Sequence, residues 1–405
     1  MTALVKILAA TLSLALGIAL GLTGAPPVAH SAQAGLGEGL KLLATVPLES
    51  GTHMELATIK GRDYAFVSEI ARGSGTFNVI DVTTPAKPKL VAEIPCGGNQ
   101  GNVQISHDLK TAIVGIDEPS IGGCLPPGMM GFVTIDISDP KRPRPLGYAE
   151  NLRGSHTIAT HPTKPYVYNG EGFPEAPGAM QVWSIEDPAH PELVTTVDTG
   201  AHSPHDISFN KDGSMAATAN VINVHLMDTT DPEAPKIVHT TQCPGCLHNH
   251  EARFTPDGKR LVVNDEYPAS AACPGGFMYF YDVTESATGP STSLVGLYTP
   301  GDKGANAHNE AGAFCTAHVF DISKDGTKIA ASWHAAGIKY LDISEVSGVA
   351  VGRDRAPGGG VVELGWYTSR GADAFSAKFF KGPYIYSVDY NHGFQVYRTQ
   401  DPPKS

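Results

Sequence analysis

Phe77-Asn78-Val79-Ile80-Asp81-Val82-Thr83-Thr84-Pro85-Ala86-Lys87-Pro88 decides how this chain is read, because the phrase returns. It comes back as Phe132-Val133-Thr134-Ile135-Asp136-Ile137-Ser138-Asp139-Pro140, with Pro143 following. Weaker copies run from Met180 to Pro191, Val224 to Pro235, Met278 to Ser286, Ile338 to Val346 and Phe394 to Pro402. That makes about seven copies, about 44 to 60 residues apart, near the period of propeller blades. Each copy is a β-branched or aromatic run stopped by Asp or Ser and a proline turn, the pattern of a strand meeting a turn.

Working outward, Asn210-Lys211-Asp212-Gly213, Thr255-Pro256-Asp257-Gly258 and Ser323-Lys324-Asp325-Gly326 read as tight turns between first and second strands. The blades then fall in order: His53 to Ile94, Val103 to Ala149, His156 to Val197, His205 to Thr241, His250 to Tyr298 and His318 to Tyr367. A seventh, from Ala374 to Arg398, has only three strands. Leu42 to Pro47 matches fourth strands such as Lys89 to Glu93, and no first strand. An orphan fourth strand at one end and a missing one at the other belong together, since pairing them removes a sheet edge. The expected fold is therefore an all-β, seven-bladed β-propeller, closed by the N-terminal strand completing the C-terminal blade.

Of 405 residues, 45 are Gly and 31 Pro, which suits short strands joined by turns. The net charge of −12 argues against nucleic acid or anionic lipid as a partner. Lys6, the apolar run Leu8 to Leu22, Pro26-Pro27 and Ala32-Gln33-Ala34 read as a cleaved signal peptide over residues 1–34. Residues 35–405 then form a single propeller domain, secreted or periplasmic, with no membrane span after cleavage. Six cysteines in such a protein read as disulfides. Repeat equivalence pairs Cys96 with Cys124 and Cys243 with Cys273, which leaves Cys246 and Cys315.

The phrases at Val79 to Pro85 and Thr134 to Pro140 resemble those of the LVIVD-repeat family of exported bacterial and archaeal β-propellers. The resemblance covers essentially the whole mature chain. It implies the fold and export but no reaction, because the family has no single activity. In fold, export and histidine placement the chain is more distantly similar to the selenium-binding protein and methanethiol oxidase propellers, which look copper-dependent. That group's cysteine motifs are absent here, so none of its catalytic residues carries across.

Histidines recur at first-strand starts: His53, His156, His205, His250 and His318. In a propeller these positions ring one mouth of the central channel. Second strands end on the same face, at Glu69, Asp117, Glu171, Asn220, Glu266, His334 and Asp389. His202, His248, His308 and His392 lie in neighbouring loops. Imidazole with carboxylate suits Cu, Zn, Fe or Mn. The candidate ligands are His156, His205, His250, His318, Glu171 and Glu266, with His53, His248, His334 and Asp389 as further channel-mouth residues. The competing reading is that a residue repeated once per blade stitches blades together. His161, His190 and His225 fall in turns or on a third strand and read as surface residues. Asp139, Asp187 and Asp231 precede prolines and read as turn-forming.

Two functions follow. One is an exported binding module at the cell envelope or beyond it, presenting its loop-rich face to a protein or small-molecule ligand. The other is a metal-dependent enzyme, an oxidase or hydrolase, with its site at the channel mouth. No phosphate-binding glycine loop, G-x-S-x-G elbow or H-E-x-x-H motif points elsewhere.

Overall fold

The computed structural model describes residues 35–70, 75–97, 101–120, 122–151, 153–171, 178–266, 273, 275–300, 314–346 and 360–400. The expected signal peptide, His308 and most of the two inserts flanking blade six's first and last strands lie outside these residues. Ala34–Ser405 forms one compact unit.

Seven antiparallel sheets make seven blades. In blade five, for example, Asn249–Phe254, Arg260–Asp265, Phe277–Ser286 and Gly289–Tyr298 pair in sequence order. No helix occurs among the described residues. The ring closes as the sequence requires: Leu40–Val46 pairs with Gly393–Thr399, placing Val46 opposite Phe394 and Leu42 opposite Tyr397. A shorter strand, Leu36–Glu38, was not foreseen. It pairs with Val362–Thr368 and adds a fifth strand to blade six. The N-terminal segment thus ties blades six and seven.

Between the blades lie seven apolar clusters, one at each junction. Val46, Met54, Val67, Tyr386 and Phe394 fill the closing junction between blades seven and one. Burial of such side chains contributes roughly 1.5–3 kcal/mol each, so the ring is held by its own core. The repeated Asp of the founding phrase is a turn cap. Asp81, Asp136, Asp228 and Asp342 each accept the backbone N–H two residues on, at 2.9–3.0 Å. Asp139, Asp187 and Asp231 do the same in the next turn. At the Asp-Gly turns Gly213, Gly258 and Gly326 have φ of 71–78°, a left-handed conformation that glycine adopts without strain.

The disulfides correct one expectation. Cys96–Cys124 forms as expected, but Cys243 bonds Cys246, and Cys273 bonds Cys315. The loop before blade five folds back on itself, with Cys246 N–H donating to Cys243 O. Gly275 N–H donates to Cys315 O at 2.7 Å, which draws the Cys273 loop onto the segment entering blade six. Repeat equivalence fails here because that turn is short enough to close locally. The histidine reading also needs correction away from the channel. His161 and His225 are buried, not on the surface; His161 Nε2 bonds Gly213 O, and His225 bridges Thr199 O and Thr240 Oγ1. His190 is exposed and pairs with Asp187, as expected.

Candidate metal centre at the channel mouth

A one-residue bulge sets the site. On blade five Asn249 faces Asp265 and Glu251 faces Asn264, which leaves His250 as the extra residue. On blade three Ser155 faces Glu171 and Thr157 faces Gly170, which leaves His156. Bulges re-aim side chains and are common beside functional sites. His205 stands immediately before the first strand of blade four and His318 two residues before that of blade six, their N–H groups on Ala219 O and Ser332 O.

These imidazoles converge. Ring centroids run His156–His205 4.6 Å, His205–His250 4.4 Å, His250–His318 4.2 Å and His318–His334 4.5 Å, with His248 4.8 Å from His205. All six rings are buried. At their centre is Glu266, with Nε2 of His248, His250 and His318 each 3.9 Å from its carboxylate and Nε2 of His334 at 3.3 Å. Among the described residues two groups could each hold a metal ion: His205, His248 and Glu266, and His250, Glu266 and His318.

The outer ring nitrogens are held in place. His156 Nδ1 bonds Asp117 at 2.9 Å and His334 Nδ1 bonds Asp373 at 2.7 Å. His205 Nδ1 meets His250 O at 3.3 Å, and His318 Nδ1 meets Phe375 O. Such partners fix tautomer and orientation in metal-binding histidines. Nδ1 of His250 is buried with no hydrogen-bond partner among the described residues.

Electrostatics divides the roles. Burial pushes His205 and His250 well below the usual imidazole range, and neighbouring imidazoles add to the shift. Burial and His334 lower His318 to about 4. These rings are neutral at physiological pH, as ligation requires. His334 behaves oppositely. Burial disfavours its charge, but the bonds to Asp373 and Glu266 prevail and raise it to about 9. Burial likewise opposes ionisation of Glu266, yet the His334 bond and the imidazoles around it keep its carboxyl below the ordinary value. His334 is thus an imidazolium clamp that holds Glu266 as a carboxylate.

The register explains which expected residues fall elsewhere. Glu69, Asp265 and Asp389 all face the residue preceding a bulge, and all cap the incoming loop. Glu69 accepts Glu49 N–H, Asp265 accepts the N–H of Leu247 and His248, and Asp389 accepts that of Asp373, Asn391 and His392. Asp389 therefore supports the Asp373 loop and does not enter the site. Glu266 lies one residue past this row, which carries it to the centre. Glu171 shares the backbone row of Glu69, and its side chain lies outside the described residues.

His53 is the other displaced residue. In blade one the bulge falls between Gly51 and His53, at Thr52, so His53 sits one step deeper than His156 and His250. There it accepts Val103 N–H from blade two at 3.3 Å, a bond between blades. Burial, then Lys378 and Arg253, push it well below the usual range. These two cations belong to a deeper charged layer. Arg253 pairs with Glu251, whose other oxygen accepts Phe320 N–H at 2.7 Å, and Lys378 pairs with Glu55. Asp117 was expected among the second-strand carboxylates but not as the partner of His156, and neither Asp373 nor the central place of His334 was foreseen.

No family model matches the chain, and no curated protein does. Among solved structures it is similar to a β-propeller domain of Myceliophteria thermophila Cps50 (Swd1), with TM-score 0.61, 10% identity, and coverage of 89% of this chain and 100% of that one. Kuenenia stuttgartiensis hydrazine synthase aligns with TM-score 0.64, 14% identity, and coverage of 89% and 98%. A functionally unknown protein from Desulfotomaculum acetoxidans DSM 771 aligns with TM-score 0.55, 16% identity, and coverage of 77% and 88%. At these identities the likeness establishes one thing, that the chain is a β-propeller.

Proposed function

We propose that this protein is an exported, metal-dependent enzyme whose reaction centre is the histidine cluster around Glu266. One observation carries the reading: Nε2 atoms of four buried imidazoles, His248, His250, His318 and His334, lie within 3.9 Å of a single, partly buried carboxylate. A propeller needing only stitches between blades would spread its histidines, as His53 and His161 are spread. Neutral imidazoles with a carboxylate suit Cu, Zn, Fe or Mn, and the bound ion would supply Lewis-acid or redox chemistry at an open position. The chain's own groups would set its surroundings: Asp117 and Asp373 orient histidines, and His334 holds Glu266 ionised. Three disulfides fit an oxidising compartment, and with them the LVIVD-type export expected from the sequence.

The test is metal content of protein exported through its own leader and purified without chelator or His tag. At least one equivalent of a transition metal, lost in His205→Ala/His250→Ala, supports the reading; none, even after reconstitution, removes it. A second reading, a binding module, has its own observation. Ile222, Leu247, Phe277 and Phe314 are exposed at strand ends and loops of the mouth face. Affinity capture that Leu247→Ser/Phe314→Ser abolishes, from metal-free protein, would favour it.

A further inference from the structure

The geometry points to two metal ions at this centre, bridged by Glu266. This rests on the metal reading above and goes further by fixing stoichiometry and topology. The two candidate groups have no histidine in common; only Glu266 belongs to both. Its two oxygens face different partners: Oε2 faces His248 and His250, and Oε1 faces His318 and His334. One ion of this class takes about three or four protein ligands and leaves a position open. His205, His248, His250, His318 and Glu266 already exceed that, and His156 Nε2 is 3.1 Å from His205 Nε2, within reach of the first group. A carboxylate shared by both sets, with His248 of one nearest Oε2 and His318 of the other nearest Oε1, is placed to link ions about 3.5–4 Å apart, the spacing of two-metal sites.

The first ion takes His205, His248 and Glu266, and the second takes His250, His318 and Glu266. His334 is then a positioning residue, donating to Glu266 Oε1 at 3.3 Å and fixing the bridge. The two halves also have separate supports. His248 is held by Asp265 and the Cys243–Cys246 loop, while His318 follows the Cys273–Cys315 staple. Each half can therefore be removed without the other.

The experiment is titration of the metal-depleted full chain with Co(II), read by visible absorbance and by equivalents retained after desalting, with Mn(II) electron paramagnetic resonance on the wild type. Two equivalents are expected, with spin coupling between paired Mn(II) ions. His248→Ala and His318→Ala should each retain one equivalent, uncoupled, and the double variant none. One equivalent in the wild type overturns the bridged pair while leaving the metal reading intact. Two uncoupled ions overturn the bridge, and no retained Co(II) or Mn(II) overturns both readings. The wild-type measurements decide even if a variant does not fold.

Discussion

Replacing Asp373 by Asn tests the electrostatic logic of the site. Asp373 touches His334 Nδ1 at 2.7 Å and Glu266 touches Nε2 at 3.3 Å, and together they raise the imidazole to about 9. Against a free value of about 6.5 that is about 2.5 pH units, worth about 3 kcal/mol of folding free energy. The sign follows from the folded value being the higher one. The stabilisation is fully present below about pH 6.5 and is lost as pH rises through about 9. The Asp373 bond is the shorter and carries at least half, so Asp373→Asn should destabilise metal-free protein by about 2 kcal/mol at pH 6. By about pH 10 the gap should close to under about 0.5 kcal/mol, because His334 is then neutral in both proteins. Urea unfolding at several pH values measures this directly. Because His334 holds the bridging carboxylate, metal affinity should also fall roughly 10- to 100-fold. A stability gap independent of pH, with unchanged metal affinity, refutes the clamp.

Other outcomes follow from the same structure. Arg253→Met should cost about 3–5 kcal/mol in unfolding experiments, because it leaves buried Glu251 without its cation. His318, lowered to about 4, contributes stability present above about pH 6.5 and lost as pH falls through 4, about 3 kcal/mol from this residue alone; the metal-free protein should therefore weaken steeply under acid, as fluorescence-detected unfolding will show. Removing Cys96–Cys124 by paired Ser substitution opens a 28-residue separation and should cost about 3–4 kcal/mol, against about 2 kcal/mol for Cys243–Cys246, in non-reducing urea titrations.

The architecture was legible because it rests on local signals repeated seven times. An apolar run, its Asp stop and the Asp-Gly turns are each read within a few residues, and the unmatched strand near Leu42 could be assigned by elimination. The site was legible only to within one residue. His156, His205, His250 and His318 are the converging set expected, but His53 has the same sequence context and lies a step deeper. What separates them is the bulge at Thr52 in place of His156 or His250, and a bulge is fixed by cross-strand pairing, which local pattern does not report. The same single-residue offset separates central Glu266 from Asp389, a loop cap. Asp117 was legible from the repeat as a mouth-face carboxylate, but its pairing with His156 was not, and Asp373 lies outside the repeated positions, since each serves one histidine on one neighbouring blade. His161 and His225 looked like surface residues because turn and strand position do not reveal burial between blades.

The central claim is that metal binds at Glu266 inside the channel mouth. Diffraction from crystals of the chelator-free protein, collected above and below the absorption edge of the metal it contains, tests this most directly. A two-ion centre gives anomalous density among Glu266 and the Nε2 atoms of His205, His248, His250 and His318, resolving into two peaks beside the carboxylate. Density absent from that space, or confined to another part of the molecule, would contradict it.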